Sequence, residues 1–172
     1  IAFESSGKKY VEAYFDMIRG KTAALLSFAA YIGGLTAHQE QPRLGMLAKF
    51  GEALGMAFQI QDDYLGIWGN PKITGKSAAN DLKTKKKTLP IIYGLQHNDE
   101  FHKIWNSELV SNENVEGLGR LLTQCGAQDF TRSKAEHFTN LAFSTLKYLF
   151  PKENNYSKAI FELTEILLNR DF

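Results

Sequence analysis

Two adjacent carboxylates stand at the end of a segment that is otherwise almost uncharged. The segment reads Phe58-Gln59-Ile60-Gln61-Asp62-Asp63-Tyr64-Leu65-Gly66. On a helix, Asp62 lies about 40° around the axis from Phe58, so an apolar stripe leads directly to a carboxylate. Two neighbouring acids that lose hydration repel each other and require a positive partner. The pair indicates either a wetted helix end, with its acids paired to nearby lysines, or a site that holds a cation.

The sequence that follows is strongly basic, with six lysines and one acid, Asp81, between positions 72 and 87. A lysine run by itself is typical of a solvated surface. An acidic pair followed by a glycine-containing basic loop is also what a metal-bridged polyphosphate requires, because hard cations take carboxylate oxygens on one side and phosphate oxygens on the other. The loop lacks the glycine spacing of a nucleotide P-loop. Without interleaved aromatic residues, it does not favour nucleic-acid binding.

Two longer stretches resemble the trans-isoprenyl diphosphate synthases, and together they span residues 10 to 95. One resembles the second aspartate-rich region of that family and reads Gly55-x-x-Phe58-Gln59-x-x-Asp62-Asp63-x-Leu65, Gly69-x-Pro71, Thr74-Gly75-Lys76, Asp81-Leu82 and Lys86-x-Thr88-Leu89-Pro90. The other lies upstream, resembles the family's Lys-Thr segment and reads Tyr14-x-x-Met17-Ile18-x-x-Lys21-Thr22-Ala23-x-Leu25.

The resemblance implies an all-α fold, an antiparallel helical bundle of the isoprenoid synthase type around a deep apolar cavity. It also implies the activity of a trans-polyprenyl diphosphate synthase. In that reaction an allylic diphosphate ionises, isopentenyl diphosphate attacks the allylic cation, and a proton is lost. Mg²⁺ and lysines would stabilise the departing diphosphate, while apolar walls keep water away from the cation.

The resemblance assigns site residues by matched position. Magnesium would be held by Asp62 and supported by Asp63, the latter partly through water. The diphosphate would be contacted by Lys21, Lys76 and Lys86, with Gln59 and Phe58 also at the substrate. The catalytic residues would be Lys21, Thr22, Gln59 and Asp62.

Two features depart from the family pattern. The family motif reads Asp-Asp-x-x-Asp, and its fifth position is Gly66 here. An acid at 66 would share a helix face with Asp62, so we expect Gly66→Asp to lower the magnesium concentration that activity requires. The chain also contains no first aspartate-rich motif. We therefore expect residues 1–172 to be the C-terminal part of a single isoprenoid synthase domain, without its N-terminal helices and with little activity by itself.

Two other functions stay open. A catalytically incomplete regulatory or binding subunit of the same fold would be expected to lose its diphosphate-binding groups, whereas this chain keeps Asp62, Asp63, Lys21, Lys76 and Lys86. A class I terpene cyclase also uses metals and a diphosphate, but its second metal motif, Asn/Asp-x-x-Ser/Thr-x-x-x-Glu, is not found. The residues favour a prenyltransferase.

The surrounding sequence predicts helices to position these residues. The chain is 44% hydrophobic and 23% charged, which is typical of a globular protein. The segment from Leu44 to Ile67 is apolar on all sides and predicts a central buried helix. A first helix is expected to end at Gly20, and three amphipathic helices are expected in the C-terminal third. No segment alternates with the period of a strand.

Composition also bears on partners and compartment. A net charge of +1 favours neither nucleic acid nor an acidic membrane surface. The single cysteine, Cys125, predicts a reducing cytoplasm. The longest uncharged stretch, residues 22–37, is shorter than the roughly 20 apolar residues of a membrane-spanning helix. From the resemblance, isopentenyl and allylic diphosphates are expected as substrates, and a full-length protein is expected to form a homodimer.

Overall fold

The computed structural model describes residues 7–70, 79–107, 114–152 and 154–168. Within these ranges the chain is helical and contains no strand, which confirms the all-α prediction. The helices are α1 Gly7–Ile18, α2 Ala24–Thr36, α3 Arg43–Trp68, α4 Asn80–Lys83, α5 Leu89–His97, α6 Asp99–Asn106, α7 Val115–Gln124, α8 Ala127–Leu149 and α9 Asn155–Leu168.

The predicted central helix is confirmed as α3, which has 26 residues and carries the acidic pair. Met56, Ala57 and Ile60 are fully buried along it. A helix without a polar face must be covered on all sides, which explains why its residues are buried around most of its circumference. The same helix carries Gln59 and the two aspartates.

The predicted helix end at Gly20 is wrong. The chain continues from α1 through a π-helical turn, Arg19–Ala23, directly into α2. Glycine lowers helix propensity by only about 1 kcal/mol, so tertiary packing can override it. The packing here involves Ala23, which is fully buried. The π-helical turn contains Lys21 and Thr22, and turns of this kind are frequent at functional sites.

The π-helical turn and α2 approach α3 closely at two glycines. A Cβ added to Gly55 would lie 2.5 Å from the Cα of Ala23, and one added to Gly51 would lie 2.6 Å from the carbonyl carbon of Leu26. Because the opposing atoms are backbone, they cannot move aside as a flexible side chain would. Position 55 therefore requires glycine for the approach that brings the Lys-Thr segment against α3.

We expect Gly55→Ala to destabilise the fold by about 1–3 kcal/mol, the usual cost of overpacking. Gly33→Ala is the matched control, since a Cβ at this position of α2 has nothing within 4 Å. The control should stabilise by up to about 1 kcal/mol through helix propensity. Urea unfolding of both variants measures the difference. Equal stability of the two variants would contradict the close approach.

The described helices fall into two compact units. The first comprises Ile60–Ser133 with the chain up to Tyr14, and its core contains Ile67, Leu82, Ile91, Phe101, Trp105, Val115, Leu118, Leu122 and Ala127. The second comprises Phe15–Gln59 and Lys134–Arg170, and its core contains Phe50, Ala53, Leu54, Ala57, Ala142, Leu146, Leu149 and Leu168. The acidic pair thus belongs to the first unit, and Lys21 and Thr22 belong to the second.

The three C-terminal helices are confirmed as α7, α8 and α9. Gly126 separates α7 from α8 with a φ of +85°, a conformation that glycine adopts without strain. Helix α6 was not predicted from the sequence. Its signal is Asn98, whose side chain accepts a hydrogen bond of 2.8 Å from the N–H of Phe101 and so caps the helix. Of the helices in the described ranges, none is both long and apolar enough to cross a membrane.

Candidate active site

Asp63 is a buried carboxylate that connects three helices of the first unit. Its side chain is only 4% exposed. Its Oδ2 accepts a 2.5 Å hydrogen bond from the hydroxyl of Tyr14 on α1 and a 3.0 Å bond from the N–H of Leu89 at the start of α5. The N–H groups of a first helical turn have no partner within the helix. Asp63 therefore caps the start of α5, although it lies 26 residues before Leu89 in the sequence.

Tyr14 is suited to this contact because it stays protonated. Its burial raises the pKa of the phenol well above the ordinary value, and the negative charge of Asp63 and the hydrogen bond to it add to the effect. The hydroxyl therefore remains a donor to Asp63 in neutral solution. The predicted support of magnesium by Asp63 stays a prediction. The structural role of this aspartate was not foreseen.

Asp62 is only partly buried, unlike its neighbour. Consecutive residues of a helix differ by about 100° around the axis, so the two acids of the pair occupy different environments. Of the two residues, Asp62 is the one that retains access to solvent.

Lys86 is held by a third acid of the first unit. Its Nζ lies 3.0 Å from the Oδ1 of the buried Asp81. The hydrogen bond to Asp81 is the main reason that the pKa of Lys86 is raised, and the negative charges of Asp81, Asp62 and Asp63 also contribute. The lysine ammonium and the acidic pair therefore share one electrostatic environment within the first unit.

The space beside Gly66 is occupied by Asp81. A Cβ at position 66 would overlap the Oδ2 of Asp81 and lie 2.6 Å from its Cγ. An acid there would also add a like charge next to the carboxylate of Asp81, which is a buried residue. The expectation that Gly66→Asp strengthens the metal site is therefore wrong, because it assumed free space on this face of α3.

The Lys-Thr segment and the first half of the acidic motif meet in the second unit. The hydroxyl of Thr22 donates a 3.0 Å hydrogen bond to the Oε1 of Gln59. Because the amide oxygen accepts this bond, the NH₂ end of Gln59 is directed away from Thr22. Lys21 is exposed, and Phe58 is partly buried against the core of the unit.

The structure thus groups the predicted residues into two sets. Asp62, Asp63 and Lys86 lie in the first unit, and Lys21, Thr22, Gln59 and Phe58 lie in the second. Lys76 lies outside the described residues. Asp81 was not predicted to be a site residue, although it is the one acid within the lysine run.

The carboxylates do not form a closed metal cage. Over the described ranges, no group of three or more His, Cys, Asp or Glu side chains is arranged to hold a metal ion. A groove of about 740 Å³ lies at the end of α3, lined in part by Trp68, Lys83 and Arg120. None of the predicted site residues that the structure describes lines it. The apolar cavity that the resemblance implies stays a prediction.

The architecture is that of the all-α isoprenoid synthases. The chain is similar to the polyprenyl synthetase from Streptomyces coelicolor A3(2), with a TM-score of 0.81 and 28% identity over 92% of this chain and 50% of that one. It is also similar to a geranylgeranyl pyrophosphate synthase from Corynebacterium glutamicum, solved with isoprenyl diphosphate and magnesium. The TM-score is 0.79 and the identity 25%, over 93% of this chain and 47% of that one.

The sequence relationships define the family. Residues 2–122 match the Polyprenyl synthetase family model. The chain is also 34% identical to the geranylfarnesyl diphosphate synthase of Aeropyrum pernix over 174 residues, covering 97% of this chain and 52% of that protein. The chain belongs to the polyprenyl synthetase family. It spans about half the length of these relatives.

Proposed function

We propose that the protein containing this chain is a prenyltransferase that condenses isopentenyl diphosphate with an allylic diphosphate. The observation that carries the proposal is that Asp62, Asp63 and Lys86 lie in one compact unit of a chain from this family. The barrier of this reaction lies in separating a polyanionic leaving group from a carbocation. Fixed cationic groups lower it when they are placed where that charge develops.

Magnesium fits the donor set on α3. It prefers oxygen ligands and keeps several waters, so one or two carboxylates together with substrate phosphate oxygens suffice. Asp62 offers carboxylate oxygens at a partly exposed position. The hydrogen bond to Asp81 is the main reason that the pKa of Lys86 is raised, and the negative charges of Asp81, Asp62 and Asp63 that add to it also favour a cation at this place. When bound, magnesium would neutralise charge on the departing diphosphate.

The remaining residues are proposed to have the roles that the family resemblance implies. Lys86 stays protonated and half exposed, so it can contact an anion while Asp81 holds it. Lys21, on the π-helical turn, is proposed as a second contact to the diphosphate, and Lys76 as a third. Thr22 would fix the amide of Gln59, which is proposed to line the reacting centre with Phe58.

A homodimer is proposed for the full-length protein. Helix α2 presents three large apolar side chains at its surface, with Leu25 71% exposed, Phe28 63% and Leu35 48%. Apolar surface of this extent favours association. Light scattering of the full-length protein checks the proposal, and a monomer at micromolar concentration would contradict it.

The function is tested by binding and by turnover. Calorimetry of the purified chain with inorganic pyrophosphate should show binding that requires Mg²⁺. The full-length protein, given Mg²⁺, geranyl diphosphate and labelled isopentenyl diphosphate, should form a longer prenyl diphosphate. Binding without turnover by the full-length protein would instead indicate a regulatory subunit, and cyclic hydrocarbon products would indicate a terpene cyclase.

The 172-residue chain by itself is expected to turn over little or no substrate. Residues that act as one constellation lose activity together when part of it is missing, and the first aspartate-rich motif is not in this sequence. The same radiolabel assay on the purified chain checks this expectation. A rate near about 1 per second, typical of a working enzyme, would contradict it.

A further inference from the structure

The carboxylate of Asp81 lies where a side chain of residue 66 would begin. Gly66 is four residues after Asp62 on α3, so the two positions share a helix face. A Cβ at 66 would overlap the Oδ2 of Asp81, with Cγ at 2.6 Å and Oδ1 at 3.2 Å. Asp81 comes from α4, 15 residues further along the chain, yet its acid group reaches the same face.

Asp81 holds both the backbone and the side chain of Lys86. The carbonyl of Asp81 accepts a 3.0 Å hydrogen bond from the N–H of Lys86, and its Oδ1 lies 3.0 Å from the Nζ of the same residue. Between them, Lys85 has a positive φ of 49°, so the chain turns sharply there. The position of Lys86 therefore depends on Asp81 at two points.

Burial makes this anchor rigid while the lysine stays accessible. The Asp81 side chain is 5% exposed, whereas that of Lys86 is 52% exposed. An ammonium has three donors, and the ion pair to Asp81 uses one of them. A lysine fixed by a buried acid loses less conformational freedom when it binds a second anion than a freely moving one would.

We propose that Asp81, from the space beside Gly66, positions Lys86 to bind the diphosphate. Gly66 and Asp81 then depend on each other, because the absence of a side chain at position 66 leaves the space that the Asp81 carboxylate fills. The diphosphate-binding part of this inference rests on the proposed function. The packing part of the inference, that Asp81 fills the space left open by Gly66, does not rest on it, and is called the exchange of space below.

The test uses three variants of the natural protein that contains this sequence. Asp81→Asn keeps the shape and removes the charge, Gly66→Asp adds an acid in occupied space, and the double variant Gly66→Asp/Asp81→Gly moves the carboxylate from 81 to 66. Asp99→Asn is the control for net charge, since Asp99 is an exposed acid of the same unit. Each protein is measured for its thermal unfolding midpoint and for binding of magnesium pyrophosphate by calorimetry.

We expect Asp81→Asn to weaken magnesium pyrophosphate binding by about tenfold with little change in the unfolding midpoint, as for the loss of a group that orients a ligand-binding residue. Asp99→Asn should change neither. Gly66→Asp should lower the midpoint, and the double variant should recover most of that loss.

If Asp81→Asn binds magnesium pyrophosphate as tightly as the wild-type protein, the positioning role is overturned. If the double variant is no more stable than Gly66→Asp, the exchange of space is overturned. If the wild-type protein does not bind magnesium pyrophosphate, the proposed function and the positioning role both fail. The unfolding midpoints then still decide the exchange of space.

Discussion

Replacing Asp62 by alanine is expected to lower the rate of prenyl transfer by a few powers of ten and to leave the fold intact. Removing one group that stabilises developing charge commonly costs about 10²–10³ in rate. Asp62 is partly exposed, so its truncation opens no core cavity. Its repulsion of Asp63 also disappears, which offsets part of any lost contact.

The measurement is kcat of the full-length protein at saturating Mg²⁺, together with its unfolding midpoint. Glu136→Ala is the matched control, because Glu136 is an exposed acid in the interior of another long helix, α8. If Asp62→Ala unfolds the protein, the acid belongs to the fold. If the variant is folded and its rate equals that of the control, the acid is not required for the reaction.

Replacing the neighbouring Asp63 by alanine is expected to destabilise the fold, with a loss of about 2–5 kcal/mol in the free energy of unfolding. The change leaves two buried donors, the hydroxyl of Tyr14 and the N–H of Leu89, without their acceptor. Each donor stranded in this way costs about 1–3 kcal/mol. Urea unfolding measures the loss without any substrate.

A double-mutant cycle separates this contact from general damage. Tyr14→Phe removes only the hydroxyl, and its effect combined with Asp63→Ala should be smaller than the sum of the single effects by about 0.5–3 kcal/mol. If the stability losses of the two single variants simply added, the contact between the two side chains would not stabilise the fold. Stability of Asp63→Ala close to that of Asp62→Ala would contradict the structural role of Asp63.

The two aspartates show why adjacent acids in a motif need not act alike. On a helix they differ by about 100° in direction, and here that rotation separates a carboxylate buried under α1 and α5 from one that meets solvent. A pair of acids in a sequence indicates that charge is required. It does not say which of the two is used for ligand binding and which for assembly.

The sequence by itself determined the helical architecture, because the pattern that predicts a helix is local. The apolar residues between Leu44 and Ile67 recur on all faces, and no other burial pattern is compatible with such a segment. The three amphipathic helices of the C-terminal third were predicted for the same reason. The motif residues were also visible, since their identities and spacing do not depend on packing.

Only the tertiary structure decided which polar groups meet. The contact between Thr22 and Gln59 joins residues 37 positions apart, and that between Tyr14 and Asp63 joins residues 49 apart. The filling of position 66 by Asp81 likewise depends on where α4 lies against α3. Periodicity gives the direction of a side chain on its own helix, but its partner is set by how closely another helix approaches, which is a property of packing between distant segments.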